Sequence, residues 1–267
     1  EAYPQSLPVI MVSALTGQGM DQLKECLAGL GKRQESGRRI VGDLLEPLDF
    51  AVLVVPIDKA APKGRLILPQ QQTIRDILEA GAVSIVLKED GLAKALPALG
   101  KKPRIVITDS QVFGSVAKDT PEDILLTSFS ILFARYKGNL GPLVKGAAAL
   151  KHIGAGDKIL ISEGCTHHRQ CNDIGTVKLP GWIRQYTGVE PEFHFTSGTG
   201  FPDDLSGYSL IVHCGGCMLN EREMKYRMEC AEDQGIPMTN YGILIAYTQG
   251  ILKRSLEPFP EIASLLG

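Results

Sequence analysis

Two short fragments of this chain contain the residue types that bind transition metals. The first is Cys165-Thr166-His167 and the second is His213-Cys214-Gly215-Gly216-Cys217. Together they offer three thiolates and two imidazoles, which are ligands for zinc and for iron–sulfur clusters. A Cys-x-x-Cys pair alone would also suit a redox-active dithiol, but the additional Cys-x-His fragment makes a metal site the favoured interpretation.

Two kinds of metal site fit this set of ligands. The three cysteines with either His167 or His213 would form a closed zinc site of structural type. The same cysteines would also hold a [4Fe–4S] cluster whose fourth iron has a weaker ligand. Thiolates are soft ligands that suit both metals, so the spacing alone leaves both interpretations open.

The fourth iron of a cluster would need a ligand other than cysteine. Glu163 is the first candidate because it stands two residues before Cys165 at the end of a predicted strand, where both side chains point to one face. A carboxylate is a hard ligand and would dissociate readily from the iron of a soft, thiolate-bound cluster. Such a labile ligand suits an iron at which another molecule docks. His167 and His213 compete with it, either as ligands or as hydrogen-bond donors to cluster sulfur. Cys26 and Cys230 are interpreted as ordinary buried or half-buried thiols.

The two fragments follow short apolar runs that predict strands, at residues 158–161 and 209–212. The carboxyl ends of strands in open α/β sheets form one edge, where ligand sites gather. After the second fragment, Asn220 predicts a helix N-cap, and Gly235 predicts the end of that helix. The Cys-x-x-Cys pair therefore precedes a helix N-terminus, whose N–H groups and dipole favour thiolates.

Three sections separate along the sequence, and the boundaries predicted from them are 1–35, 36–142 and 143–267. In the middle section, helix-like segments alternate with apolar runs that predict strands at 51–55, 84–87, 104–108 and 124–127. This alternation predicts a small parallel sheet covered by helices, and a further α/β unit follows it. The predicted fold class is therefore α/β, with two small parallel-sheet domains after a short N-terminal section.

Composition is typical of a soluble cytoplasmic protein. The net charge is −2, from 28 Lys and Arg against 30 Asp and Glu, so no electrostatic footprint for nucleic acid is present. The apolar runs are too short to span a membrane, and no secretory signal opens the sequence. Six cysteines that include a Cys-x-x-Cys pair, without extracellular context, indicate reduced metal-binding thiols and not a disulfide framework.

The pattern Cys-x-His followed by His-Cys-x-x-Cys resembles the cluster-binding motif of the HydF family, the GTPases that mature [FeFe]-hydrogenase. Residues 50–69, which read FAVLVVPIDKAAPKGRLILP, resemble the opening of that family's middle domain. The resemblance implies that the middle domain dimerises and that the C-terminal domain holds a [4Fe–4S] cluster through three thiolates, those of Cys165, Cys214 and Cys217. It also implies that a di-iron precursor binds transiently and passes to apo-[FeFe]-hydrogenase, with the radical-SAM maturases as further partners.

Residues 8–23 resemble the last guanine-contacting loop of a Ras-like GTPase and the helix after it. No G-x-x-x-x-G-K-S/T loop occurs in the sequence, so nothing would cradle the phosphates or seat Mg²⁺. We therefore interpret residues 1–35 as a GTPase remnant and expect no catalytic activity from this chain. The resemblance implies that GTP and Mg²⁺ bind only to the full-length protein.

Two functional classes follow from the sequence. In the first, the chain is a scaffold that keeps one iron of its cluster exchangeable. In the second, the chain is a small interaction module, and zinc or a cluster only stabilises its fold. The glycines and the surplus of candidate ligands favour the scaffold. The uncovered edge of a small parallel sheet also predicts a homodimer, with assembly beyond the dimer left open.

Overall fold

A computed structural model describes residues 9–30, 37–57, 66–137, 140–164, 173–216 and 219–266. The chain forms two compact units, Glu1–Arg38 and Arg39–Gly267. The first unit contains helix α1, Met20–Leu30. A turn precedes this helix, in which Gly17 N–H donates to Ser13 O at 2.9 Å.

The second unit begins with a four-stranded parallel sheet. Its strands are β1 (Phe50–Val54), β2 (Val83–Leu87), β3 (Ile105–Thr108) and β4 (Leu125–Ser128). They lie in the order β2-β1-β3-β4. The intervening helices are α2 (Leu68–Glu79), α3 (Leu92–Ala98), α4 (Phe113–Asp119) and α5 (Phe129–Tyr136). The inner strands β1 and β3 are almost wholly buried, as expected for Val- and Ile-rich strands covered on both faces.

A second four-stranded parallel sheet follows. Helix α6 (Leu140–Ala148) leads into β5 (Lys158–Glu163), α7 (Leu179–Thr187), β6 (Glu192–Ser197) and β7 (Leu210–His213). The chain then forms α8 (Glu221–Asp233), β8 (Met238–Asn240), α9 (Tyr241–Thr248), α10 (Leu252–Ser255) and α11 (Pro260–Ala263). The strand order is β6-β5-β7-β8. The predicted fold class, with two small parallel-sheet α/β domains, is confirmed.

The two sheets share one hydrophobic core, which extends from β1 and β3 through α5 and α6 to Leu160 of β5 and Ile211 of β7. Helix α6 crosses β8 closely, because a Cβ at Gly146 would overlap the carbonyl oxygen of Met238. Helix α10 packs against the edge strand β4. Its Arg254 also donates to two carbonyls at the C-terminal end of α4, Ala117 O at 3.1 Å and Thr120 O at 2.6 Å. The second domain therefore covers one edge of the first sheet.

The second sheet reverses its strand order between β5 and β7, since β6 lies on one side of β5 and β7 on the other. Ser162 pairs with His213 in the register of these two strands. The loops after β5 and β7 thus leave the sheet side by side at its carboxyl edge. A crevice at such a switch point is the usual ligand site of an open α/β sheet.

Candidate metal centre

Cys214 leaves β7 with its sulfur surrounded by backbone donors. Its own N–H donates to Ser162 O at 2.9 Å, which ties the residue to the end of β5. Its Sγ accepts the N–H of Gly164 at 3.0 Å and that of Gly216 at 3.4 Å. Hydrogen bonds to a sulfur favour its charged form, so this arrangement stabilises a thiolate.

The two residues that donate to the sulfur are glycines, and the position of a Cβ is crowded at each of them. A Cβ at Gly164 would lie 2.6 Å from Cγ of Leu219, which is far inside van der Waals contact. Gly216 has φ 58°, and a Cβ there would lie 2.5 Å from Sδ of Met224. At Gly216 the left-handed backbone, combined with a crowded Cβ position, favours glycine. Gly215 is exposed and has open space around it, so the loop presents its backbone to solvent.

Helix α8 begins soon after the cysteine loop, as the sequence predicts. The side chain of Asn220 accepts the N–H of Glu223 at 2.8 Å, which confirms the predicted N-cap. Glu221 and Glu223 lie in the first turn, where the helix dipole favours acidic residues. The helix ends at Asp233, and Gly235 with φ 68° turns the chain away.

His213 is fully buried and uses both of its ring nitrogens in hydrogen bonds. Nδ1 lies 2.7 Å from the carbonyl oxygen of Cys214, and Nε2 lies 3.0 Å from Nη1 of Arg227. A carbonyl only accepts and a guanidinium only donates, so the neutral tautomer with hydrogen on Nδ1 is assigned. Burial lowers the pKa of His213 to about 4, and the charge of Arg227 adds to this effect. For Nε2 to bind a metal, it would first have to lose Arg227.

Arg227 is a component of this site that the sequence interpretation missed. Its side chain is wholly buried and donates to Glu223 Oε1 at 2.7 Å and to Gly198 O at 2.7 Å. Its guanidinium lies 5.1 Å from the ring centroid of Phe201. The helical spacing in the sequence would have indicated its burial, because position 227 falls three residues after Met224 on the buried face of α8. A buried arginine needs hydrogen-bond partners, which places it in a polar site.

Glu163 ends β5 and is only 3% exposed. Its Oε1 lies 3.4 Å from the hydroxyl of Tyr241. The pKa of Tyr241 is raised, first by burial and then by the nearby charges of Glu163 and Cys214. A Cβ at Gly175 would lie 2.7 Å from Glu163 Oε1, so this glycine leaves room for the carboxylate. The structure therefore brings the buried Glu163 and the half-buried Cys214 close to the same tyrosine.

Cys165, His167 and Cys217 lie outside the described residues. Within the described part of the chain, no three His, Cys, Asp or Glu side chains form a group that would hold a metal ion. The ligand set of three cysteines stays a prediction.

Two family models match this chain. The hydrogen maturase F dimerization domain matches residues 40–138, and the hydrogen maturase F tetramerization domain matches residues 142–258. The chain belongs to the hydrogen maturase F family, HydF. It therefore has a role in hydrogenase maturation, and its HydF dimerization and tetramerization domains support a homo-oligomer.

Comparisons outside the HydF family models add little. No curated protein matches the chain. Among solved structures, aspartate transcarbamoylase from Trypanosoma cruzi in complex with phosphate matches at 8% identity and a TM-score of 0.30, over 88% of this chain and 91% of that one. An NtrC family transcriptional regulator from Clostridium acetobutylicum matches at 12% identity and a TM-score of 0.24, over 83% and 99%. Scores this low support no argument about fold or function.

A residue of the HydF dimerization domain also reaches the cysteine loop, and no pattern in the sequence indicates this contact. Nζ of Lys137 donates to Gly216 O at 2.7 Å and to Gly215 O at 3.2 Å, and both glycines belong to the tetramerization domain. A small cavity beside Cys214 is lined from both domains by Ala134, Lys137, Leu143, His213, Met224 and Asn240. The candidate site thus lies where the two domains meet. No helix in the described ranges is long and apolar enough to cross a membrane.

Proposed function

We propose that this chain is a maturation scaffold that binds a [4Fe–4S] cluster through Cys165, Cys214 and Cys217. In this role it receives the di-iron precursor of the hydrogenase active site from the radical-SAM maturases and passes it to apo-[FeFe]-hydrogenase. The observation that supports the proposal is the pair of backbone N–H groups on the sulfur of Cys214. N–H donors of this kind surround cluster thiolates and tune their clusters.

The residues around Cys214 fit a cluster better than a closed zinc site. Gly164 and Gly216 stabilise the thiolate without contributing side chains, and the exposed Gly215 leaves the loop open to a second molecule. When bound by three thiolates, a [4Fe–4S] cluster supplies one iron whose remaining ligand can be exchanged. A site that only stapled the domain would need no such opening.

Glu163 is the proposed resting ligand of that remaining position. It is buried beside Cys214, and Tyr241 engages one of its carboxylate oxygens. His213 is a weaker candidate because Arg227 and the carbonyl oxygen of Cys214 occupy its two ring nitrogens. His167 stays a competing candidate.

Anaerobic purification of the chain tests the proposal directly. We expect bound iron with acid-labile sulfide and a broad charge-transfer absorption. Cys214→Ser should lose most of this iron, because a serine hydroxyl replaces a thiolate poorly on a soft metal. Cys230→Ser is the matched control, since Cys230 is half-buried on α8 and packs against the core.

Three outcomes would contradict parts of the proposal. A colourless protein that holds zinc without sulfide would favour the stapled interaction module. Full iron content in Cys214→Ser would remove Cys214 from the ligand set. Nitrogen coupling to the cluster in pulsed EPR would show that a histidine, and not Glu163, is the ligand of the fourth iron.

A further inference from the structure

We infer that Lys137 of the dimerization domain is a positioning residue for the cluster site in the tetramerization domain. It acts on Cys214 through the peptide group that joins Gly215 and Gly216. This inference rests on the proposed function, since it assigns Lys137 a role toward the cluster.

Lys137 is held firmly at its backbone. It is the C-cap of α5, and its N–H donates to Phe133 O at 3.0 Å. Helix α5 is anchored by Ile131 and Leu132, which are completely buried. The ammonium group therefore extends from a fixed point, and its two hydrogen bonds to successive carbonyls of one loop limit how that loop can move.

A single peptide group connects Lys137 to the sulfur. The carbonyl of Gly215 and the N–H of Gly216 belong to the same planar unit, in which the two groups point in opposite directions. Lys137 Nζ donates to the Gly215 oxygen at 3.2 Å, while the Gly216 N–H donates to Sγ of Cys214 at 3.4 Å. Lys137 thereby sets the orientation of this peptide and directs its N–H toward the sulfur.

The same arrangement has an electrostatic consequence. A charged donor on the carbonyl polarises the peptide, which strengthens the hydrogen bond at its other end. Hydrogen bonds to sulfur and a nearby positive charge both stabilise the reduced, more negative state of a cluster. Removing the charge of Lys137 should therefore make the cluster harder to reduce while leaving its thiolate ligands in place.

Three substitutions at this position separate charge from hydrogen bonding. Lys137→Met removes both, Lys137→Gln keeps a donor without charge, and Lys137→Arg keeps charge and donors. Lys145→Met is the control, because Lys145 is an exposed lysine on the neighbouring helix α6. Each anaerobically reconstituted protein is assayed for iron and sulfide and titrated potentiometrically with EPR detection. Solution mass and thermal unfolding of the metal-free proteins establish that each variant folds.

We expect Lys137→Met to lower the ratio of reduced to oxidised cluster at a fixed potential by about tenfold, which is about 59 mV for a one-electron couple. Lys137→Gln should shift the ratio of reduced to oxidised cluster in the same direction. If Lys137→Met does not fold, the comparison of Lys137→Gln with Lys137→Arg tests the inference instead. Lys137→Arg and Lys145→Met should stay close to wild type. Loss of the cluster from both neutral variants, with retention in Lys137→Arg, would also support the inference.

Two results would overturn it. A wild-type potential and EPR spectrum in Lys137→Met would show that Lys137 does not act on the site. Equal shifts in Lys137→Arg and Lys137→Met would show that packing and not charge is responsible. Either result, obtained with a wild-type protein that holds iron and sulfide, contradicts this inference and leaves the proposed function intact. A wild-type protein without iron and sulfide would instead contradict the proposed function.

Discussion

Among the described residues, the peptide groups of two glycines donate hydrogen bonds to the sulfur of Cys214. Backbone donors are fixed by the fold, so they stabilise a thiolate without the entropy cost of ordering a long side chain. The adjacent carbonyl of Cys214 is fixed as well, because buried His213 donates to it at 2.7 Å. Arg227 in turn holds His213, and the result is a short chain of buried contacts behind the cysteine.

The neutral state of His213 predicts a pH dependence of stability in the metal-free protein. Burial lowers its pKa to about 4 in the folded chain, against about 6.5 in the unfolded chain. The unfolded state therefore binds the proton first as pH falls. This contribution to the free energy of unfolding is complete above about pH 6.5, and about 2 kcal/mol of it is lost between pH 7 and pH 5.

Urea unfolding at pH 7 and pH 5 measures this loss. His213→Gln should show a smaller change between the two pH values than wild type, by about 2 kcal/mol. His152→Gln serves as the control because His152 is exposed on the same domain. An unchanged pH dependence in His213→Gln would contradict the assignment of a buried neutral imidazole.

At the scale of elements, the sequence predicted the strands and the helix after the cysteine pair. The apolar run 51–55 overlaps the observed strand Phe50–Val54, offset by one residue, because a strand buried on both faces must be apolar throughout. Asn220 was recognised as an N-cap from its position alone. Contacts between distant residues were not predictable, since Lys137 meets Gly216 only after two domains have packed together. Periodicity along the chain contains no information about such pairs.

The close crossing of α6 over β8 predicts that alanine substitutions at two glycines of α6 will affect stability differently. A side chain at Gly146 would overlap the carbonyl of Met238, whereas one at Gly141 would meet Leu265 at 3.5 Å and Ile262 at 3.6 Å, which is ordinary contact. Gly146→Ala should lower the free energy of unfolding by about 1–3 kcal/mol through overpacking. Gly141→Ala should leave it unchanged or raise it by about 0.5–1 kcal/mol through helix propensity.

Urea unfolding of the two variants at pH 7 provides the measurement. Equal stability of Gly146→Ala and Gly141→Ala would show that α6 does not approach β8 as closely as described.

At the scale of the whole molecule, the two edges of the first sheet differ. Helix α10 packs against β4, while β2 at the other edge is only half-buried along its length. Val86 on β2 is 45% exposed. Two leucines near this strand are exposed as well: Leu78 on α2, and Leu48, whose N–H donates at 2.9 Å to the carbonyl of Gly81 just before β2. An apolar edge of this kind tends to pair with another copy.

We therefore expect the HydF dimerization domain to associate through β2, independently of metal. In a two-fold symmetric pairing, Val86→Lys would place two like charges across the interface, which should weaken association by at least about 1.4 kcal/mol, or tenfold. Sedimentation equilibrium over a range of concentrations should show a dissociation constant at least about tenfold higher than that of wild type. Ala93→Lys is the control, because it adds the same charge at an exposed position of α3.

Removal of metal by a chelator should leave the wild-type mass unchanged, since β2 contains none of the proposed cluster ligands. Dissociation of wild type by the chelator, or an undiminished assembly in Val86→Lys, would exclude this edge as the metal-independent interface.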